Sequence, residues 1–211
     1  MNRCVIIGGA EIRNYPFVRA QLRKDDFCIF CDSGLSHREA LQAKPDLIVG
    51  DFDSHARPRL PVETIVLPRE KDDTDTVFAV KEALSRGFEE FLLMGAVAGR
   101  LDHSLANVSI LLLLHSLGKK GYLVDDYSIM EIVGKEPITI DDACEFFSLL
   151  NISGKAAGIT VQNAKYPLTN AEIDCTYQYG VSNEVLPGKK AAVRVEEGNL
   201  LLIRVQPQPK R

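Results

Sequence analysis

Short, β-rich and mostly apolar runs recur along the first part of the chain, at 4–7, 27–31, 47–49, 62–67, 91–94 and 121–124. Runs of this length with little polar alternation are the signature of strands buried on both faces. Helical spacing fills the gaps. Residues 14–23 suit a helix that tolerates Pro16 in its first turn, and Ser36 opens a second stretch reaching 43. Thr74 or Asp75 can cap a third helix that carries Val77, Val80 and Leu84 on one face and stops at Gly87. A fourth starts at Asp102 and is apolar almost all round, through Leu105, Val108, Leu111, Leu112 and Leu113, which predicts a buried helix.

Strands alternating with helices predict a mainly parallel sheet covered on both faces, a Rossmann-like α/β arrangement. Ligands of such sheets bind beyond the carboxyl ends of the strands. Gly8, Asp32, Asp51, Asp53, Asp75, Arg100 and Asp102 all follow predicted strands, so they are expected to share one site. After about Asp126 the texture changes. From Ile129 onward short β-rich runs return at 138–140, 146–150, 158–161, 173–179, 191–195 and 200–205, without an amphipathic helix between them. The expectation is an α/β domain over residues 1–128 followed by a small all-β domain, a sandwich or barrel, over 129–211.

Composition removes several function classes. A net charge of −4 and a pI near 5.6 argue against a nucleic-acid binder, which normally shows a basic face. Five cysteines, an odd number without framework spacing, predict free thiols that pack as small hydrophobes. Cys28 and Cys31 form a CxxC only on paper, because residues three apart on a strand point to opposite faces. The first residues lack the pattern of a signal peptide, and the leucine run at 110–114 is far below a membrane span. The expectation is a cytoplasmic protein of a reducing compartment, with neither nucleic acid nor membrane as partner.

The chemistry concentrates in two acidic segments, Gly50-Asp51-Phe52-Asp53-Ser54 and Lys71-Asp72-Asp73-Thr74-Asp75. They place five aspartates within 25 residues. Carboxylates so crowded repel one another unless protons or a cation compensate. Mg²⁺ suits the role, since it takes hard oxygen ligands and is commonly shared between carboxylates and substrate phosphates. Gly99-Arg100-Leu101-Asp102-His103 adds a guanidinium suited to phosphate oxygens, with Asn107 one turn further on. Gly8-Gly9 can cradle a phosphate or merely turn the chain. No GxGxxG stands there and no Walker A segment occurs anywhere, which weakens dehydrogenase and P-loop readings.

Together these segments resemble thiamine pyrophosphokinases. The resemblance rests on Asp32-Ser33-Gly34, Lys44-Pro45-Asp46 leading into Gly50–Ser54, Lys71–Asp75, Gly99–His103 and, far downstream, Gly180-Val181-Ser182-Asn183, in that order along the chain. It implies an α/β catalytic domain, a thiamine-binding β-sandwich and a homodimer with composite active sites. The implied reaction transfers the pyrophosphoryl group of ATP to the thiamine hydroxyl with Mg²⁺, giving thiamine diphosphate and AMP. The resemblance further implies metal held by Asp51, Asp53 and Asp75, and catalysis by Asp75, Arg100, Asp102 and Asp72. The nucleotide would lie along Gly8, Gly9, Asp32, Lys71, Thr74, Arg100, His103 and Asn107, and thiamine would meet Ser182, Asn183 and Asp102. Ala98 stands where the family usually has glycine. With no tryptophan in the chain, either Tyr177 or Tyr179 substitutes for the stacking ring of some relatives or that stacking is absent. Two other readings keep part of this picture: a pyrophosphokinase for a pterin or other heterocyclic alcohol, and a nucleotide- or thiamine-binding module without turnover.

Overall fold

Strand β1 (Arg3–Ile7) is buried at all five positions, as a central strand must be when both faces are covered. It belongs to a computed structural model that describes residues 3–52, 60–70 and 72–207. The chain divides into two compact units, Met1–Asp126 and Tyr127–Arg211.

In the first unit β1 leads through α1 (Tyr15–Arg19) to β2 (Phe27–Cys31). A 3₁₀ segment (Asp32–His37) and α2 (Arg38–Leu41) follow, then β3 (Leu47–Gly50) and β4 (Glu63–Val66). Next come α3 (Asp75–Ser85), β5 (Glu90–Met94), α4 (Leu101–Ser116) and β6 (Lys120–Val124). Among the described residues these strands lie in the order β4-β3-β2-β1-β5-β6, and every pairing is parallel. The chain winds outward from β1 to β4, then returns to the other side of β1 with β5. That reversal sends the connections after β1 and β5 toward opposite sides of the sheet, the arrangement that places a crevice at the carboxyl ends.

Three helical expectations need correction. Helix α1 is five residues long, not ten, with Asn14 as its N-cap. Asp26 stops it: its carboxylate accepts from the Arg23 N–H, while Arg3, paired to Asp26 at 2.7 Å, also donates to the Gln21 carbonyl. Side chains thus hold the backbone groups that further turns would need. The second helix starts earlier and more tightly, as the 3₁₀ segment. Gly34 presses on β1 there, where a methyl group would lie 2.2 Å from the Ile7 carbonyl oxygen. Helix α4 is not buried all round. It hides Ser104, Asn107, Ile110, Leu111 and Leu114, but Leu101 is 70% exposed and Leu105 62%, with Leu113 and Leu117 exposed as well. Helix α3 keeps its cap, since Thr74 accepts from the Val77 N–H, and Gly87 follows its end at φ 84°. Its buried residues are Ala79, Val80 and Ala83, so Val77 and Leu84 lie only half-buried.

The second unit contains β7 (Ser128–Val133), β8 (Ile138–Asp141), β9 (Phe146–Leu150), β10 (Lys155–Gln162), β11 (Leu168–Asp174), β12 (Lys190–Arg194) and β13 (Leu200–Val205). Strand β13 pairs antiparallel with β7 on one side and β9 on the other. Strands β11-β10-β12-β8 form a separate antiparallel sheet. Side chains of both groups, among them Val133, Phe147, Leu149, Ile159, Ile173, Val193 and Leu202, share one apolar cluster. The strand expected at 173–179 lies earlier, at Leu168–Asp174. The Asp174 carboxylate takes the Thr176 N–H at 2.7 Å and also its hydroxyl, which turns the chain out of the ladder.

Cys4, Cys28 and Cys31 are buried thiols. Burial pushes the Cys28 thiol up to about 12, and Cys4 is raised further for the same reason. Cys175 departs from the expectation of buried thiols, being exposed.

Candidate functional site

At the β1/β5 reversal lies a cavity of about 350 Å³. Gly8, Gly9, Ala10 and Glu11 line it from the loop after β1, and Gly95, Ala96, Ala98, Gly99 and Arg100 from the loop after β5. Ser33, Thr76, His103 and Asn107 complete the wall. Both loops are locked to one another: the Gly8 N–H donates to the Met94 carbonyl and the Ala10 N–H to the Gly95 carbonyl, each at 2.8 Å. The glycines are steric requirements. A methyl group at Gly8 would come 2.5 Å from the Gly95 oxygen, and one at Gly9 would come 1.8 Å from Ser33 Oγ.

Of the residues expected along a nucleotide, Gly8, Gly9, Arg100, His103 and Asn107 therefore share one cavity. Asn107 is buried and donates to the Ala96 carbonyl at 2.7 Å, which braces the β5 loop from inside α4. Thr74 is occupied as the α3 cap, and the nearby hydroxyl that faces the cavity is Thr76. Ser33 entered the sequence reading only as part of the Asp32-Ser33-Gly34 segment, without a role of its own, and Thr76 did not enter it; its one signal was adjacency to Asp75.

The aspartates collect at neighbouring chain ends. Asp32 follows β2 and Asp51 follows β3, two strands in register through Cys31 and Val49. Gly50 permits their approach, since a methyl group there would come 2.9 Å from Asp32 Cβ. Cys31 Sγ donates to the Asp75 carbonyl at 3.7 Å, so the start of α3 meets the end of β2. Asp32 and Phe52 both adopt left-handed backbone angles, φ 36° and 53°. Strain of this kind in non-glycine residues concentrates at functional sites. Asp72 is exposed upstream of the α3 cap, and Asp73 pairs with Lys81 at 2.6 Å. Asp53 and Lys71 lie outside the described residues. Among the described residues no three Asp, Glu, His or Cys side chains converge on one metal position. Asp51 and Asp75 carry carboxylate oxygens of the hard kind that Mg²⁺ takes.

Arg100 and Asp102 form a two-pronged ion pair at the cavity rim, with Nε–Oδ1 at 3.1 Å and Nη2–Oδ2 at 2.5 Å. The Asp102 carboxylate also accepts from the His103 N–H. The guanidinium first, and that N–H second, hold Asp102 at a pKa of about 2. Both side chains are largely exposed, so the pair contributes little to stability and is free to exchange partners.

In the second unit Ser182 is exposed with φ 56°, its N–H donating to Ser148 Oγ. Asn183, by contrast, is 7% exposed. Its carboxamide accepts from the Tyr166 N–H at 3.0 Å and donates to the Tyr166 carbonyl at 2.8 Å. The expected contact residue is thus a clamp on Tyr166, an aromatic ring 58% exposed that sequence reading passed over. Tyr177 and Tyr179 are exposed too, their rings 5.6 Å apart.

The sequence profile of the thiamin pyrophosphokinase catalytic domain matches residues 18–122, and that of the thiamin pyrophosphokinase vitamin B1 binding domain matches residues 136–200. The thiamine pyrophosphokinase of Bacillus subtilis is 28% identical over 163 residues, which is 74% of this chain and 76% of that protein. Its crystal structure superposes with a TM-score of 0.84 at 22% identity, covering 98% of this chain and all of the other. The thiamin pyrophosphokinase of Geobacillus thermodenitrificans superposes with a TM-score of 0.81 at 26% identity, covering 98% of each chain.

Proposed function

The chain belongs to the thiamine pyrophosphokinase family, a family of transferases, and on that premise we propose a Mg²⁺-dependent transfer of the pyrophosphoryl group of ATP to the thiamine hydroxyl, releasing AMP. One observation carries the reading. The cavity at the β1/β5 reversal has glycine-walled loops on two sides and a guanidinium at its rim. Backbone and Arg100 suit a polyphosphate, while carboxylates at the ends of β2, β3 and the start of α3 suit the metal that accompanies it.

Transfer of this kind asks a protein chiefly for alignment and charge stabilisation. Mg²⁺, when bound, would draw charge from the phosphate oxygens and make AMP a better leaving group. Asp51 and Asp75, with Asp53, are the residues proposed to hold it. Arg100 would exchange Asp102 for phosphate oxygens. Asp102, released from that pair, is then available to attract the cationic thiazolium ring. With Asp102 engaged there, acceptance of the hydroxyl proton is assigned to Asp75. In the second unit, read as a thiamine-binding β-sandwich, Ser182 and the Tyr166 face would meet the vitamin, with Asn183 holding Tyr166 in place. The leucines that α4 leaves exposed, Leu101, Leu105 and Leu113, support self-association as a homodimer.

Chromatography of a reaction containing ATP, thiamine and Mg²⁺ tests the proposal. Equimolar AMP and thiamine diphosphate are expected. ADP as the nucleotide product, or no product, overturns it.

A further inference from the structure

We infer that His37, acting with Tyr15, is a positioning residue for the cavity loop after β1; the inference rests on the nucleotide reading of that cavity. His37 ends the 3₁₀ segment, is buried, and touches none of the cavity volume itself. Its Nε2 lies 3.0 Å from the Ala10 carbonyl oxygen, and its Nδ1 lies 2.7 Å from the Tyr15 hydroxyl. A carbonyl can only accept, so Nε2 carries a proton. Burial lowers the ring's pKa and favours the neutral form, in which Nδ1 accepts from the Tyr15 hydroxyl.

The peptide groups around Ala10 are consequently held from both sides. The Ala10 N–H is bound to Gly95 across the crevice, and its carbonyl is bound to His37 from behind. Tyr15 begins α1, the element into which the loop runs, so the histidine ties both ends of the loop to the 3₁₀ segment. Asp126 anchors the same entry from another direction. Its carboxylate accepts from the Arg13 and Asn14 N–H groups at 2.8–3.1 Å. A loop that offers backbone to a polyphosphate binds best when its geometry is set beforehand, because ordering it on binding would subtract from affinity.

The test compares His37→Ala, His37→Gln and Tyr15→Phe for steady-state kinetics. It adds calorimetric binding of α,β-methylene-ATP with Mg²⁺. For His37→Ala the nucleotide KM and the analogue Kd should both rise about tenfold, with kcat within about twofold and the thiamine KM unchanged. His37→Gln, whose amide can donate where Nε2 does, should recover most of the nucleotide affinity. Tyr15→Phe, which leaves the ring bonded to Ala10 but unoriented, should fall between wild type and His37→Ala. Equal nucleotide KM in wild type and Tyr15→Phe, or a loss spread evenly over both substrates without rescue by glutamine, overturns the inference. A wild-type protein that neither binds the analogue nor turns over would instead defeat the underlying nucleotide reading.

Discussion

Asp75 stands at the junction of two demands, since it is the first residue of α3 and a proposed metal ligand and base. The helix already has a cap in Thr74, so Asp75→Asn should retain the fold. It should nevertheless lose at least about a hundredfold in kcat, the scale expected when one transition-state charge partner is removed. Asp51→Asn should behave likewise; a thermal melt close to wild type beside a near-normal rate would refute both assignments. His37 carries a separate, pH-linked expectation. Its pKa is lowered in the folded chain from 6.5. As pH falls below that value the unfolded chain takes up a proton that the folded chain resists, so stability declines with acidification and levels off below the folded pKa. Above 6.5 the contribution is constant. Urea midpoints of wild type and His37→Gln between about pH 8 and 5 should converge on the acid side; parallel curves would show no linkage.

At the scale of elements, the two crevice loops behave as one object because backbone meets backbone without side chains between. Gly95 has φ 56°, and a methyl group on it would lie 2.4 Å from the Gly8 carbonyl oxygen. Gly95→Ala should therefore cost about 2 kcal/mol or more of stability through backbone strain and displacement. It should weaken nucleotide binding at the same time. Gly118, which also has positive φ but nothing near its missing methyl, is the control. Gly118→Ala should cost about 1 kcal/mol and leave KM unchanged. The strands and the Thr74 cap were legible in sequence because each depends on neighbours a few positions away. The lengths of α1 and β11 were not. Asp26 ends α1 by pairing with Arg3, 23 positions distant, and Asp174 ends β11 through a side-chain turn that competes with a β-rich continuation.

For the whole molecule, helix α4 presents Leu101, Leu105 and Leu113 to solvent, with Leu117 exposed just past its end. If α4 is the contact of the proposed homodimer, a double change, Leu105→Glu with Leu113→Glu, should halve the mass measured by light scattering without lowering the melting temperature. A wild-type monomer would refute the homodimer, and a double variant that stays dimeric would remove α4 from the contact. The hydrophobic pattern pointed the other way, toward a helix enclosed on every side. Composition alone cannot separate leucine buried by its own chain from leucine awaiting another surface.

The order of strands and helices, the glycine and aspartate positions at strand ends and the membership of a family were all properties of the linear chain. Each follows from local spacing or from ordered short segments. Tertiary structure alone decided that Gly8 and Gly95 share a wall, that Ser33 and Thr76 face the cavity, that Asn183 spends its amide on Tyr166, and that His37 stands behind Ala10. These depend on which strand lies beside which, and long-range pairing leaves no periodic trace in sequence.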